Sequence, residues 1–306
     1  MTEFPQKPER PLDSDCCGQG CDPCILDLYA EDLRIWEDEC QRIRNGEDKK
    51  PIDPGLKQAN GPVLSPTEYK MFIIESVSQE THNSYRFKLT LPHGQTLGLK
   101  TGQHVVIRGN VNGEILSRQY TPISDVCTRS QFELLIKIYE EGRMSQYVKQ
   151  WNIGTMVEIR GPCGNFIYHP NKYKKVIMFT VGTGIAPMAQ VIHTILNNED
   201  DMTLIELLYG CRTYNDILMK AEIDEWSRYW NFTCTFYLSQ EKESDSNYKY
   251  GDKIVKEHIN KSIVYSVIDK PCDDIYVLIC GTRTFEQNII QYIKQRGLSD
   301  HHYHKF

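Results

Sequence analysis

Apolar and polar positions alternate along this chain in two different rhythms, and the change falls near residue 174. Between about residues 69 and 166, short β-branched or aromatic runs at 69–77, 85–91, 104–109, 132–139 and 156–160 are bounded by Gly, Pro or Asn. Short runs separated by turn residues at such even spacing predict an antiparallel barrel or sandwich. One helix is expected within it, at 142–151. From residue 174 onward, apolar strand candidates at 175–181, 204–209, 232–238 and 275–280 alternate with helical stretches at 187–197, 217–228, 253–259 and 285–296. Strand–helix alternation predicts a mostly parallel sheet with helices on its faces. Ahead of both, residues 27–44 interleave Leu28, Leu33, Ile35, Trp36 and Ile43 with charges, as one amphipathic helix does. A Pro- and Gly-punctuated linker at 49–55 follows.

The expected organisation is therefore α+β and α/β. A Cys-rich acidic segment and linker occupy 1–60, an antiparallel Greek-key β-barrel domain 66–170, and a parallel-sheet α/β domain 171–306. Charge supports the first boundary. Residues 1–60 carry 14 acidic and 8 basic side chains, which accounts for the whole net charge of −6, while the rest of the chain balances. A balanced body without a basic face argues against nucleic-acid binding. No apolar run is long enough to span a bilayer, and the amino terminus shows neither a signal peptide nor a myristoylation glycine, so a cytoplasmic or organelle-surface monomer is expected.

Eleven cysteines without a secretory signal do not describe a disulfide framework. Most are scattered singly and read as core thiols. Cys17, Cys21 and Cys24, with Cys16 adjacent, form a compact cluster to which Cys40 can add a fourth thiolate. Four thiolates can hold zinc or an iron–sulfur centre; a reduced, thiol-rich docking segment is the other reading.

Three further segments carry chemistry. Arg118-Gln-Tyr-Thr-Pro-Ile-Ser places a guanidinium, an aromatic ring and small hydroxyls on one extended stretch. The cation suits a diphosphate and the ring suits a flavin, although a strand end with a surface Arg and a packed Tyr has the same letters. Gly142-Arg-Met-Ser145 opens the barrel's helix, where amides make an anion site or a plain cap. Val181-Gly-Thr-Gly-Ile-Ala-Pro-Met188 follows a buried-strand run, and Pro187 suits the first turn of the helix it begins. Its glycines permit close approach of a ligand, but Pro187 stands where the Gly-x-Gly-x-x-Gly fingerprint has its third glycine.

In this order the segments resemble the ferredoxin-reductase superfamily and, within it, the NADH-cytochrome b5 reductases. The likeness runs from about Phe72 to Phe306 through Gly102-Gln-His-Val105, Arg118–Ser124, Ile136-Lys-Ile-Tyr139, Gly142-Arg-Met-Ser-Gln-Tyr147, Arg160-Gly-Pro162, Gly182–Met188, Asp216-Ile-Leu218 and Cys280-Gly281. The cysteine cluster with Asp27-Leu-Tyr29 and Asp32-Leu33 resembles the oxidoreductase-like module fused to one subgroup of these reductases.

The resemblance implies FAD and NADH as cofactors, with NADPH also open, and a haem protein such as cytochrome b5 as acceptor. It implies that Arg118 binds the FAD pyrophosphate, that Tyr120, Thr121 and Ser124 flank the ribityl and flavin ring, and that Gly142, Arg143, Met144 and Ser145 cap the diphosphate. Lys137, Tyr139, Gly182, Thr183, Gly184, Pro187, Cys280, Gly281 and the terminal Phe306 fall to the cofactor sites. Thr121, near flavin N5, and Cys280, near the nicotinamide, are the implied catalytic pair. Two departures stand out: Thr282-Arg-Thr-Phe285 replaces the family's Pro-rich turn, and Ser239-Gln240 stand where NADH-specific relatives carry an acid. The altered turn also suits a binding or assembly protein, for a nucleotide, thiol or metal partner, with a weakly active reductase body.

Overall fold

A computed structural model describes residues 4–11, 24–45, 63–242, 248–270 and 272–306. The chain divides into two compact units, one formed by described residues of 1–78 with 85–165, the other by 79–84 with 166–306. The first contains helix α1 (Ile25–Arg44), most of strands β1 (Lys70–Thr81) and β2 (Ser84–Thr90), whose joined ends at 79–84 fall to the second unit, strands β3 (His104–Val111), β4 (Glu114–Tyr120) and β5 (Gln131–Lys137), the short helix α2 (Arg143–Val148) and strand β6 (Met156–Cys163). The second contains β7 (Lys175–Val181), α3 (Ile185–Leu196), β8 (Leu204–Cys211), α4 (Lys220–Trp226), β9 (Phe232–Leu238), β10 (Lys253–Val255), α5 (Lys261–Val267), β11 (Ile275–Cys280), α6 (Arg283–Gln295) and β12 (Tyr303–Lys305).

In the first unit the six strands order as β4-β3-β6-β1-β2-β5. The β3–β4, β3–β6 and β1–β6 pairs are antiparallel. Alternating inward residues such as Ile74, Leu89, Val105, Leu134 and Ile159 meet in one apolar core. Beyond β4 the chain crosses toward the opposite edge, where the Ile123 amide donates to the Glu133 carbonyl of β5 at 2.9 Å. The Glu133 amide in turn donates to Ser124 Oγ at 3.1 Å. The segment that follows Arg118 and Tyr120 thus seams the two edges of the sheet together.

Helix α1 lies against this unit and begins with an acid-assisted cap, the Asp27 carboxylate accepting from the Cys24 amide at 2.9 Å. Its buried stripe includes Leu28, Asp32 and Ile35, which share one helical face. Residues 4–11 run beside edge strand β4: Pro8 bridges Ile115 in parallel, and the Glu9 amide donates to the Ile115 carbonyl. Trp36 of α1 holds this arm by donating from Nε1 to the Pro5 carbonyl at 2.7 Å.

In the second unit the order is β10-β9-β8-β7-β11-β12, and every pair is parallel. Strand β7 is buried through Val176–Thr180, as a central strand covered on both faces must be. The helix expected at 253–259 is not there: Lys253–Val255 form β10, which extends the sheet beyond β9. Pairing to a neighbour decides so short a segment, because three residues carry no readable period. Helix α5, unforeseen from periodicity, is capped by Asn260, whose side chain accepts from the Ile263 amide at 3.2 Å.

Candidate functional site

In the first unit the expected flavin residues gather along the β4 seam and the start of α2. Arg118 and Tyr120 lie on β4 opposite Ile107 and Val105 of β3. Burial pushes the Tyr120 phenol up to about 12, so it stays a neutral ring and hydroxyl. Thr121 is half-buried just beyond the strand. Ser124 Oγ already accepts from Glu133, which leaves its hydroxyl proton as the group it can offer.

Gly142 has no room for a side chain, since a Cβ there would meet Ser145 Oγ at 2.7 Å and Tyr139 Cβ at 3.2 Å. Ser145 Oγ accepts from the Tyr139 amide at 3.0 Å and so holds the turn from Tyr139 to α2 closed. The first-turn amides at Arg143, Met144 and Ser145 have no acceptor inside the helix itself. Arg143 itself pairs with the carboxylates of Glu9, at 2.6 Å, and Glu114. The arm that carries Glu9 went unforeseen as part of this site, because nothing local in residues 4–11 shows that they run beside β4. Lys137 ends β5, and Tyr139 is exposed at the same end.

In the second unit the expected pyridine-nucleotide residues meet at the carboxyl ends of β7 and β11, where open parallel sheets bind ligands. Gly182 adopts φ +54°, and nothing lies within 4 Å of where a Cβ would be. Its carbonyl accepts from the buried Tyr209 hydroxyl at 2.9 Å. Gly184 has a different purpose: a Cβ would lie 2.4 Å from the Cys280 carbonyl oxygen, so the absent side chain lets β11 end against the turn. Pro187 is buried in the first turn of α3. Thr183, between the glycines, is half-buried.

Cys280 is the last residue of β11, paired to Thr180 of β7, and Thr180 Oγ1 donates to the Cys280 carbonyl at 3.0 Å. Burial, with the Glu286 carboxyl next in effect, pushes the Cys280 thiol far up, so it stands as a neutral S–H. The Gly281 amide donates to Glu286 Oε1 at 2.9 Å. Thr282-Arg-Thr-Phe285 does not make an irregular turn; Thr282 stands at the N-cap position of α6, which begins at Arg283, and its side chain makes no capping hydrogen bond. Phe306 packs edge-on against Phe166 and His304, with centroids 5.1 Å and 4.7 Å away, and its amide donates to the Ile279 carbonyl beside Cys280. Glu286, Thr180 and Tyr209 also went unforeseen, since each acts on a backbone group of another segment.

The thiol cluster needs correction. Cys17 and Cys21 lie outside the described residues, but Cys24 and Cys40 do not. They stand on one continuous helix, sixteen positions apart, which at 1.5 Å per residue separates them by ~24 Å. They cannot share an ion, so Cys40 is not the fourth ligand of a site built on Cys24; it is buried in the packing of α1.

Both cofactor cradles fit dinucleotides. One sets the Arg118-bearing strand β4 beside the start of helix α2, and the other offers a positive-φ glycine with open space at a sheet's carboxyl end. Together they define a two-domain flavin and pyridine-nucleotide oxidoreductase. Residues 71–168 match the family described as oxidoreductase FAD-binding domain, 178–291 the oxidoreductase NAD-binding domain, and 2–45 the N-terminal region of oxidoreductase-like proteins. The chain is 36% identical over 304 residues to the NADH-cytochrome b5 reductase-like protein of Mus musculus, covering 98% of this chain and 95% of that one. It is 36% identical over 238 residues to NADH-cytochrome b5 reductase 1 of Dictyostelium discoideum, covering 78% and 81%. The chain belongs to the NADH-cytochrome b5 reductase family. Its fold is also that of the cytochrome b5 reductase domain of Ulva prolifera nitrate reductase, with a TM-score of 0.72 and 26% identity over 80% of this chain and all of that one. No helix among the described residues is long and apolar enough to cross a membrane.

Proposed function

We propose that this protein is an FAD-dependent oxidoreductase that takes a hydride from NADH and delivers single electrons to a haem protein, cytochrome b5 being the acceptor its relatives' names indicate. The observation that carries this reading is the junction of the Gly182 turn with Cys280 at the carboxyl ends of two adjacent parallel strands. FAD, when bound, supplies the two-to-one electron splitting that joins a hydride donor to a one-electron acceptor.

The chain's own groups bind and orient. Arg118 and the start of α2 would hold a bound diphosphate, the Tyr120 ring would suit the flavin, and the Thr121 and Ser124 hydroxyls would offer it hydrogen-bond donors. Lys137 and Tyr139, at the end of β5, would add a cation and a ring to cofactor binding by the first unit. Gly182, Thr183 and Gly184, with the first turn of α3 at Pro187, receive the pyridine nucleotide's phosphates. The neutral Cys280 thiol, Gly281 and the Phe306 ring form an apolar wall at the nicotinamide end, where exclusion of water favours hydride over proton chemistry. No side-chain base is needed. We place the protein in the cytosol as a monomer.

The test is anaerobic stopped-flow spectroscopy. Purified holoprotein should show a flavin band that bleaches on mixing with NADH and recovers as ferric cytochrome b5 is reduced. A flavin that stays oxidised at saturating NADH overturns the reading.

A further inference from the structure

The peptide unit joining Cys280 to Gly281 is held at both of its polar ends. Thr180 Oγ1 donates to its carbonyl at 3.0 Å, and its N–H donates to Glu286 Oε1 at 2.9 Å. Both partners are buried, Thr180 on β7 and Glu286 in the first turns of α6. Gly281 is the most permissive residue type at the point where the chain leaves a strand, so an unrestrained peptide there would rotate and carry Cys280 with it. Packing restricts it on the side of Val181 and Phe285, whose atoms would lie 2.4 Å and 2.9 Å from a Cβ at Gly281.

A buried carboxyl group is a costly way to fill this helix position. Burial raises its proton affinity, opposed by the Gly281 amide and the Lys305 ammonium, while the Cys280 thiol is the other titratable group facing it. An aliphatic residue would pack in its place at no electrostatic cost, but only a side chain with an acceptor oxygen can fix the Gly281 N–H. The position lies just beyond the Thr282–Phe285 segment, where the chain enters α6 directly and the Glu286 carboxyl group is what holds the Gly281 N–H.

We propose that Glu286 is a positioning residue for hydride transfer, one that sets where Cys280 and the Cys280–Gly281 peptide stand against the nicotinamide by accepting the Gly281 amide. The proposal rests on the reading of Cys280 as the nicotinamide-end residue. It assigns to Glu286 the shape of the bound-nucleotide site, not the affinity for its phosphates. Misplacement of a reacting group by 1 Å can cost about 10²-fold in rate.

The deciding comparison uses the holoenzyme in four forms: wild type, Glu286→Gln, Glu286→Asp and Cys280→Ala. Stopped-flow flavin reduction over a range of NADH concentrations separates the limiting rate from the dissociation constant. Gln keeps an acceptor oxygen at the same reach, whereas Asp keeps the charge but withdraws it by one methylene. The expected result is a limiting rate near wild type for Glu286→Gln and about tenfold lower for Glu286→Asp, with NADH affinity shifted much less. The reverse order, Asp active and Gln impaired, would mean that charge and not the amide contact matters, and overturns the proposal. Equal rates in both variants overturn it as well. If Cys280→Ala reduces its flavin as fast as wild type, the underlying assignment of Cys280 fails; if it is slow while both Glu286 variants are fast, only the role of Glu286 fails.

Discussion

Asp32 and Arg160 stand 128 positions apart, yet Asp32 Oδ1 accepts from Arg160 Nε at 3.3 Å inside the first unit. Arg160, on β6, is wholly buried, and Glu31 Oε2 lies 3.2 Å from its Nη1. Tyr69 completes the cluster: its hydroxyl donates to Asp32 at 2.7 Å, lies 3.1 Å from Ser117 Oγ next to Arg118, and has its ionisation suppressed by burial and by Asp32. Helix α1 also brings Glu39 within 4.0 Å of Arg108, which makes a two-bond pair with Glu158. Part of the acidity of residues 1–60 is therefore spent on arginines of the flavin-binding sheet.

Removing Asp32 leaves a buried guanidinium short of its main counter-charge, which typically costs about 3–5 kcal/mol. Asp32→Ala should lower the urea midpoint of the first unit accordingly, whereas Asp32→Leu combined with Arg160→Met should recover much of that loss. Denaturation followed by circular dichroism checks both; a single Asp32→Ala variant as stable as wild type would show that the pair carries no net stabilisation.

How much of this was legible in the letters depends on range. The runs that became β7, β9 and β11 announced themselves because central parallel strands are apolar throughout and end in Gly or polar residues. Strand β4 was visible only as the stretch around Arg118, since Glu114, Ser117, Arg118 and Gln119 break its apolar pattern. Both cofactor motifs could be read because their residues are consecutive. The Asp32–Arg160 pair could not, because it joins residues 128 positions apart; the Glu286–Gly281 contact, though only five positions long, needs the chain to turn from β11 into α6 so that the Gly281 N–H folds back on the first turns of the helix.

Glu9 competes with any anion for Arg143. Its carboxylate is held low by the guanidinium, first through the hydrogen bond and then through charge. Glu9→Gln should strengthen FAD binding several-fold at low ionic strength, and the difference should shrink as salt screens it. Arg143→Ala should weaken binding. Flavin fluorescence titrations of apoprotein at two salt concentrations read both effects.

The two motif glycines should fail differently. Gly184→Ala drives a methyl into the Cys280 carbonyl and should destabilise the second unit by about 1–3 kcal/mol. Gly182→Ala has open space but must hold a positive φ, at roughly 1–2 kcal/mol. Thermal melts quantify the two, and NADH titration should show Gly182→Ala weakened through its ligand contact.

Glu286 gives a pH dependence of defined sign. Its folded-state pKa is raised by burial above the ordinary 4.5. The folded protein thus binds this proton more tightly than the unfolded chain, so the associated stability is present at low pH and lost as pH rises through the folded value. Glu286→Gln, which does not titrate, should be more stable than wild type at pH 8, with an advantage that narrows toward pH 5. Melting temperatures across that range test it; an advantage that grows on acidification would contradict the sign.

If the resemblance holds at the ribose, nucleotide choice is set at the end of β9. Glu241 is already engaged, its carboxylate accepting from the Tyr214 amide at 2.5 Å, while the Ser239 and Gln240 amides donate to the Cys211 and Arg212 carbonyls. No ribose-binding acid is supplied by Ser239 or Gln240. Ser239→Asp should raise the preference for NADH over NADPH by roughly tenfold through repulsion of a 2′-phosphate. Steady-state kinetics with both nucleotides measure the ratio.

If Arg118 and Tyr120 hold the flavin as proposed, the seam at Ile123 and Ser124 couples flavin loading to folding. The strand that carries Arg118 and Tyr120 runs directly into the two hydrogen bonds that close the sheet. A ligand that fixes that strand therefore favours the closed sheet by RT ln(1 + [L]/Kd), about 2.7 kcal/mol at a hundredfold excess over Kd. Cells short of flavin would then hold less of this protein as well as a less active form of it, because the apoprotein lacks that contribution to the closed sheet.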